Sequence, residues 1–220
     1  MIKNTYKHYK NIVFDLGQVL LPIDFDAPVR AFKNLGLQDF DTMYHETVQA
    51  GLFNLLETGK ITEEHFRDEM RRISGMPWTD KQIDDAWNTI ILEFRPATIE
   101  MLKTLSKTYR LFLLSNTNSI HYKCYNEQVK QRFCPDGIQA YFERIFLSHQ
   151  MGMRKPDPDI FLAMAKETAT VAEQTLFIDD NADNVHTARS LGYHILHLCD
   201  GMKVEEQDFC KDFTKNNICR

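Results

Sequence analysis

The sequence predicts an α/β fold, a doubly wound parallel sheet with a bundle of helices inserted after its first strand. Short apolar runs of the kind that strands buried on both faces require recur along the chain and alternate with helical spacing from residue 96 onward. The first run, Ile12-Val13-Phe14, is followed instead by residues 24–93, which show helical spacing and no strand alternation. Several of the runs stop abruptly on polar side chains. Strands alternating with helices imply right-handed crossovers and helices on both faces, a Rossmann-like architecture.

Each element has its own local reason. After the first strand, Asp26 is placed to cap a helix carrying Val29, Phe32 and Leu35 on one face and ending near Gly36. Met43, Thr47, Ala50 and the stretch 52–56 make a second helical region. Thr62 starts a third helix, with Glu63 and Glu64 in the first turn, where the helix dipole favours acids, and Phe66, Met70 and Ile73 inward. Thr79 or Asp80 caps a fourth, whose Ile83, Trp87, Ile90 and Ile91 share a face. Pro96 suits the first turn of a helix burying Ile99, Leu102 and Leu105. Strands follow at 110–114, 144–147, 175–178 and 193–198. Helices are expected at 119–132, at 183–191 before Gly192, and after Asp157-Pro158, with Phe161, Leu162 and Ala165 inward. The polar tail allows one more helix around 204–213. Residues 1–22 and 95–220 therefore read as the α/β core domain, and 23–94 as a helical domain inserted into it.

Composition narrows the function. A 220-residue chain with 43% hydrophobic and 11% aromatic residues can bury a full core. A net charge of −5 with scattered Lys and Arg offers no basis for binding nucleic acid or anionic membrane. No apolar run approaches the ~18 residues that cross a bilayer. The polar start, Met1 to Asn11, does not resemble a secretory signal. The five cysteines are odd in number and none has CxxC spacing, so free thiols in a reducing cytoplasm are expected. The eight histidines lack metal-ligand spacing.

The polar groups that interrupt the runs are Asp15, Ser115 with Asn116, Lys155 in a turn, and Asp179 with Asp180. In a parallel sheet the carboxyl ends of the strands share one edge, where such groups converge. Taken singly, each suits a cap or a solvated loop; shared placement at one edge points to a site. Three carboxylates without soft ligands suit a hard cation, Mg²⁺ rather than zinc. A free Asp oxygen can attack phosphorus, while Ser115 and Lys155 hold the nonbridging oxygens.

Asp15-Leu16-Gly17-Gln18-Val19, Leu114-Ser115-Asn116, Arg154-Lys155-Pro156 and Phe177-Ile178-Asp179-Asp180-Asn181 closely resemble, in order, the four motifs of the haloacid dehalogenase-like hydrolase superfamily. The helical insert after the first motif resembles that superfamily's first type of cap. The resemblance implies a Mg²⁺-dependent phosphatase with Asp15 as the nucleophile that forms an aspartyl-phosphate. It implies Ser115 and Asn116 as the phosphate-binding motif and Lys155 as the bridge between nucleophile and phosphate. It makes Asp15, the Gly17 carbonyl, Asp179 and Asp180 the metal set. The first and third motifs, with Ile23-Asp24-Phe25 and Ser115-Asn116-Thr117-Asn118, are similar to a subgroup of sugar-phosphate phosphatases such as glucose-1-phosphate phosphatases.

One position departs from the pattern. Most phosphatases of the superfamily carry a second Asp two residues after the nucleophile, where this chain has Gly17. The expected reaction is hydrolysis of a small soluble phosphomonoester, a sugar phosphate, with Asp24 or an insert residue supplying the missing acid-base help. A dehalogenase is the alternative within the fold, although that chemistry needs no metal and would leave Asp179-Asp180 as unpaired charge. A phosphate- or partner-binding protein with weakened turnover is the alternative outside enzymology, with Gly17 as its evidence.

Overall fold

The computed structural model describes residues 9–37, 39, 51–199 and 201–209. Five parallel strands form its sheet: β1 (Asn11–Phe14), β2 (Arg110–Ser115), β3 (Arg144–Leu147), β4 (Thr175–Asp179) and β5 (His194–His197). They lie in the order β3-β2-β1-β4-β5, so β1 is central and the order reverses beside it. Nearly every residue of β1, β2 and β4 is buried, which is why these strands read as unbroken apolar runs. Ile12, Phe14, Leu111, Leu113, Leu176 and Ile178 face one apolar cluster. Val13, Phe112, Leu114, Phe146 and Phe177 face the other.

Helices cover both faces. α5 (Pro96–Leu105) and α6 (Ser119–Arg132) pack on the first cluster, and α8 (Pro158–Thr168) and α9 (Ala182–Ser190) on the second. A short α7 (Ser148–Met151) follows β3 directly. The excursion after β1 carries α1 (Ala27–Asn34), α2 (Leu52–Glu57), α3 (Glu63–Ser74) and α4 (Asp80–Asn88). These four bury Phe32, Leu52, Leu56, Phe66, Met70 and Ile83 in a third cluster, which Ile120 of α6 joins. A narrow stem closes the excursion. Ile23 and Ile91 form an antiparallel bridge, Asp24 N–H donates to the Ile90 carbonyl (2.9 Å), and Leu92 N–H donates to that of Pro22 (3.1 Å).

Most expected elements stand where the spacing put them, and four details differ. Thr79 rather than Asp80 caps α4, through a reciprocal capping box with Gln82. Asp26 sits at the N-cap of α1 but makes no side-chain cap; Asp24 accepts the Asp26 N–H (2.9 Å) and holds the turn instead. In α8, Leu162 is 54% exposed while Ile160 and Met164 are buried beside Phe161, so the inward face lies one residue towards the N-terminus from the expected one. Within the described part of the tail, Val204–Glu206 form a 3₁₀ turn, anchored by Glu205 to Arg95 Nε (2.5 Å). The expected helical positions Met43, Thr47 and Ala50, and the tail beyond residue 209, lie outside the described residues.

Cys124 and Cys134 are free, as expected. Cys199 is not: it is disulfide-bonded. The absence of CxxC spacing excluded a zinc site but said nothing about longer loops.

Candidate active site

Register brings the acidic groups together. Phe14 pairs with Ile178 of β4, so Asp15 leaves β1 level with Asp179, and Asp15 N–H donates to the Ile178 carbonyl (2.9 Å). Phe14 also pairs with Leu113, which sets Ser115 at the neighbouring strand end. Lys155 arrives from the turn after α7 and is fully buried. Its ammonium donates to Asp15 Oδ1 (2.5 Å) and Asp179 Oδ2 (2.7 Å). One cation thus bridges two buried carboxylates on adjacent strands.

Asn116 explains how the lysine is held. Its Oδ1 accepts the Lys155 N–H (2.9 Å) and its Nδ2 donates to the Lys155 carbonyl (2.8 Å). The side chain is therefore anchored at both ends to the lysine backbone. Asp179 is held as firmly. It accepts the Asn181 N–H (2.9 Å), and Asn184 Nδ2 reaches both its oxygens (3.0 and 3.1 Å). Asp180 takes no hydrogen bond from another side chain among the described residues, so its carboxylate is the less committed of the pair.

Ligand oxygens of Asp15, Asp179 and Asp180 lie within 4.8 Å of one another. Burial, with repulsion from Asp179 and Asp180, overrides the attraction of Lys155 and pushes Asp15 up to about 7. Burial and then Asp179 likewise raise Asp180. Lys155 is held above its ordinary value by Asp15 and Asp179 even though burial opposes its charge. Three acids against one ammonium are short of positive charge. An all-oxygen set of this kind fits a hard divalent cation.

The cluster forms the floor of a cavity of about 720 Å³. Gly17, Ser115, Asn116, Lys155 and Asn184 line its core side, and Phe25, Val29, Phe53, Glu57 and Trp87 line the helical side. Every residue expected at the site therefore borders one cavity.

A protein-family model described as haloacid dehalogenase-like hydrolase matches residues 24–197. The chain belongs to the haloacid dehalogenase-like hydrolases. It is 36% identical over 84% of its length to D-ribitol-5-phosphate phosphatase of Bacteroides thetaiotaomicron, covering 89% of that protein. A haloacid dehalogenase family enzyme of the same organism, crystallised with magnesium and inorganic phosphate, superposes with a TM-score of 0.82 at 34% identity, over 88% of this chain and 96% of that one. Glyceraldehyde 3-phosphate phosphatase of Methanocaldococcus jannaschii is 25% identical over 95% of this chain and 93% of its own. Two relatives of this haloacid dehalogenase-like hydrolase are thus phosphatases of small phosphorylated carbohydrates.

Sequence reasoning missed several residues of the hydrolase site. Asn184 looked like one more polar position on α9; its link to Asp179 appears only when the helix turns back over the strand end. Glu57 and Arg154 came from separate segments, and the structure joins them across the cavity at 3.1 Å. Asp24, considered as a replacement acid, is corrected: Arg30 Nη2 lies 2.5 Å away and holds it below the usual carboxylate range. It is the turn residue of the α1 entry.

Proposed function

We propose that this chain is a Mg²⁺-dependent phosphatase of a small phosphorylated sugar or polyol, working through an aspartyl-phosphate on Asp15. The observation that carries the reading is the buried ammonium of Lys155 shared between Asp15 and Asp179 on the floor of a closed-in cavity. Asp15, the Gly17 carbonyl, Asp179 and Asp180 are the groups that would hold the cation, with Asp180 free to ligate directly. When bound, Mg²⁺ would offset the charge of the acids and of the phosphate dianion. Asp15 is at the strand end with one oxygen engaged by Lys155, which fixes the carboxylate for in-line attack on phosphorus. The Ser115 hydroxyl, the main chain of Asn116 and the Lys155 ammonium hold the nonbridging oxygens as charge builds on them. Attack breaks the ester P–O bond, and water then cleaves the acyl phosphate.

Residues 23–94 serve as the cap that encloses the substrate and selects it. The apolar side that this segment gives the cavity suits the carbon skeleton of a small substrate. The chemistry favours a soluble metabolite over nucleic acid or lipid.

The test is phosphate release from a panel including D-ribitol 5-phosphate, glyceraldehyde 3-phosphate and p-nitrophenyl phosphate. Release should require Mg²⁺, stop with EDTA, and vanish in Asp15→Asn. Turnover that survives complete metal removal, or that Asp15→Asn retains, refutes the reading.

A further inference from the structure

Cleavage of an alkyl phosphate leaves an alkoxide, a poor leaving group that needs a proton from a nearby acid. Among the titratable groups lining the cavity, Asp15, Asp179, Asp180 and Lys155 are committed to the nucleophile and its charge balance, and Arg154 stays protonated. Four others remain. Asp26 is exposed at the mouth. His121 is held neutral by burial, with its Nδ1 against Asn118 Nδ2 (3.1 Å). Burial raises the Tyr125 phenol well above its ordinary value, which makes it a poor proton donor. Glu57 is the fourth.

Glu57 closes α2 and lines the same cavity as the carboxylates. Two contacts fix it there. Arg154, the neighbour of Lys155, ion-pairs through Nη1 with Glu57 Oε2 (3.1 Å) and donates from the same nitrogen to Asn54 Oδ1 (3.1 Å). Just beyond, Gly59 lies so close to the His149 carbonyl that a Cβ built on it would sit 2.1 Å from that oxygen. The end of α2 is thereby seated against the core. Burial raises the Glu57 carboxyl above the ordinary glutamate value although Arg154 opposes this. A phosphate dianion entering the same cavity favours the protonated form further.

We propose that Glu57 is the proton donor and acceptor of the reaction, acting on the leaving oxygen from the helical side of the cavity. The proposal deepens the phosphatase reading and rests on it. As Asp15 attacks, the P–O ester bond breaks and the alkoxide takes the Glu57 proton. The resulting carboxylate then removes a proton from the water that attacks the aspartyl-phosphate. Phosphate departs with Asp15 free and Glu57 protonated again.

The test compares p-nitrophenyl phosphate, whose leaving group needs no proton, with D-ribitol 5-phosphate. Glu57→Gln should lower kcat/KM on the alkyl ester by ~10²-fold or more and on the aryl ester by less than ~5-fold, within the range general acids supply. Retained aryl kcat/KM also reports an intact fold. Glu57→Asp, which keeps the acid one methylene back, should fall between. Arg154→Gln, which removes the ion pair and leaves the carboxyl, should keep the wild-type ratio of the two substrates. Equal losses on both esters in Glu57→Gln, no loss on either, or the same selective loss in Arg154→Gln overturns the proposal. A wild-type enzyme that hydrolyses neither ester would instead overturn the phosphatase reading.

Discussion

His121 makes stability depend on pH in a calculable way. Its main-chain N–H donates to Asn118 Oδ1 (3.0 Å), which leaves Asn118 Nδ2 facing ring Nδ1 at 3.1 Å. Nδ1 must therefore accept, and a proton placed on it would meet a donor. The other ring nitrogen is enclosed, and the ring stacks on Trp87 with centroids 5.2 Å apart. These surroundings push the imidazole down to about 4, from 6.5. The unfolded chain takes up the proton first as pH falls, so the folded state is fully favoured above 6.5 and loses ground between 6.5 and 4. At ~1.36 kcal/mol per unit the whole loss is at most ~3.4 kcal/mol, of which ~2 kcal/mol is gone by pH 5. Urea unfolding of the wild type and of His121→Gln at pH 7.5 and 5 isolates this contribution, because the carboxylates titrate alike in both. The wild type should lose ~2 kcal/mol more than the variant over that interval. If both lose the same amount, the ring is not held neutral by its neighbours and the reasoning fails.

Three further outcomes follow from single contacts. Asn184→Ala removes the two hydrogen bonds that this side chain gives Asp179 and should weaken Mg²⁺ activation by ~10- to 100-fold, read from metal titration of the activity. Gly59→Ala places a methyl 2.1 Å from a backbone oxygen at φ +63°, and should cost more than the ~1 kcal/mol of an average substitution, measured as a shift of the urea midpoint. Asp24→Asn breaks only an exposed pair with Arg30, so kcat should stay within ~2-fold of wild type; a larger fall would restore Asp24 to the reaction.

The sheet and its edge were legible because a buried parallel strand has few ways to be written. Apolar runs ending at Asp15, Ser115 and Asp179 gave both the strands and the place where polar groups meet. What the local pattern could not carry was contact between segments. The capping role passed from Asp26 to Asp24 because Arg30 and the Asp26 N–H both lay within reach of the latter carboxylate. Leu162 turned outward because the face of α8 is set by Phe177 and Tyr193, against which Phe161 packs. Asn184, Glu57 and Arg154 gained meaning only through partners distant in sequence. The Cys199 disulfide escaped for the same reason.

The stem at Ile23 and Ile91 has a consequence for how this scaffold can be altered. The excursion leaves and returns through one pair of adjacent residues, and the sheet register depends on neither. Exchanging 24–90 for the equivalent stretch of a relative would therefore require a single two-point splice, with Asp15, Ser115, Lys155 and Asp179 left in place. Such chimaeras would keep the reacting groups constant while changing the walls around the substrate. Glu57 would travel with the transplanted piece and Arg154 would not, so each graft would bring its own side chain to face Arg154.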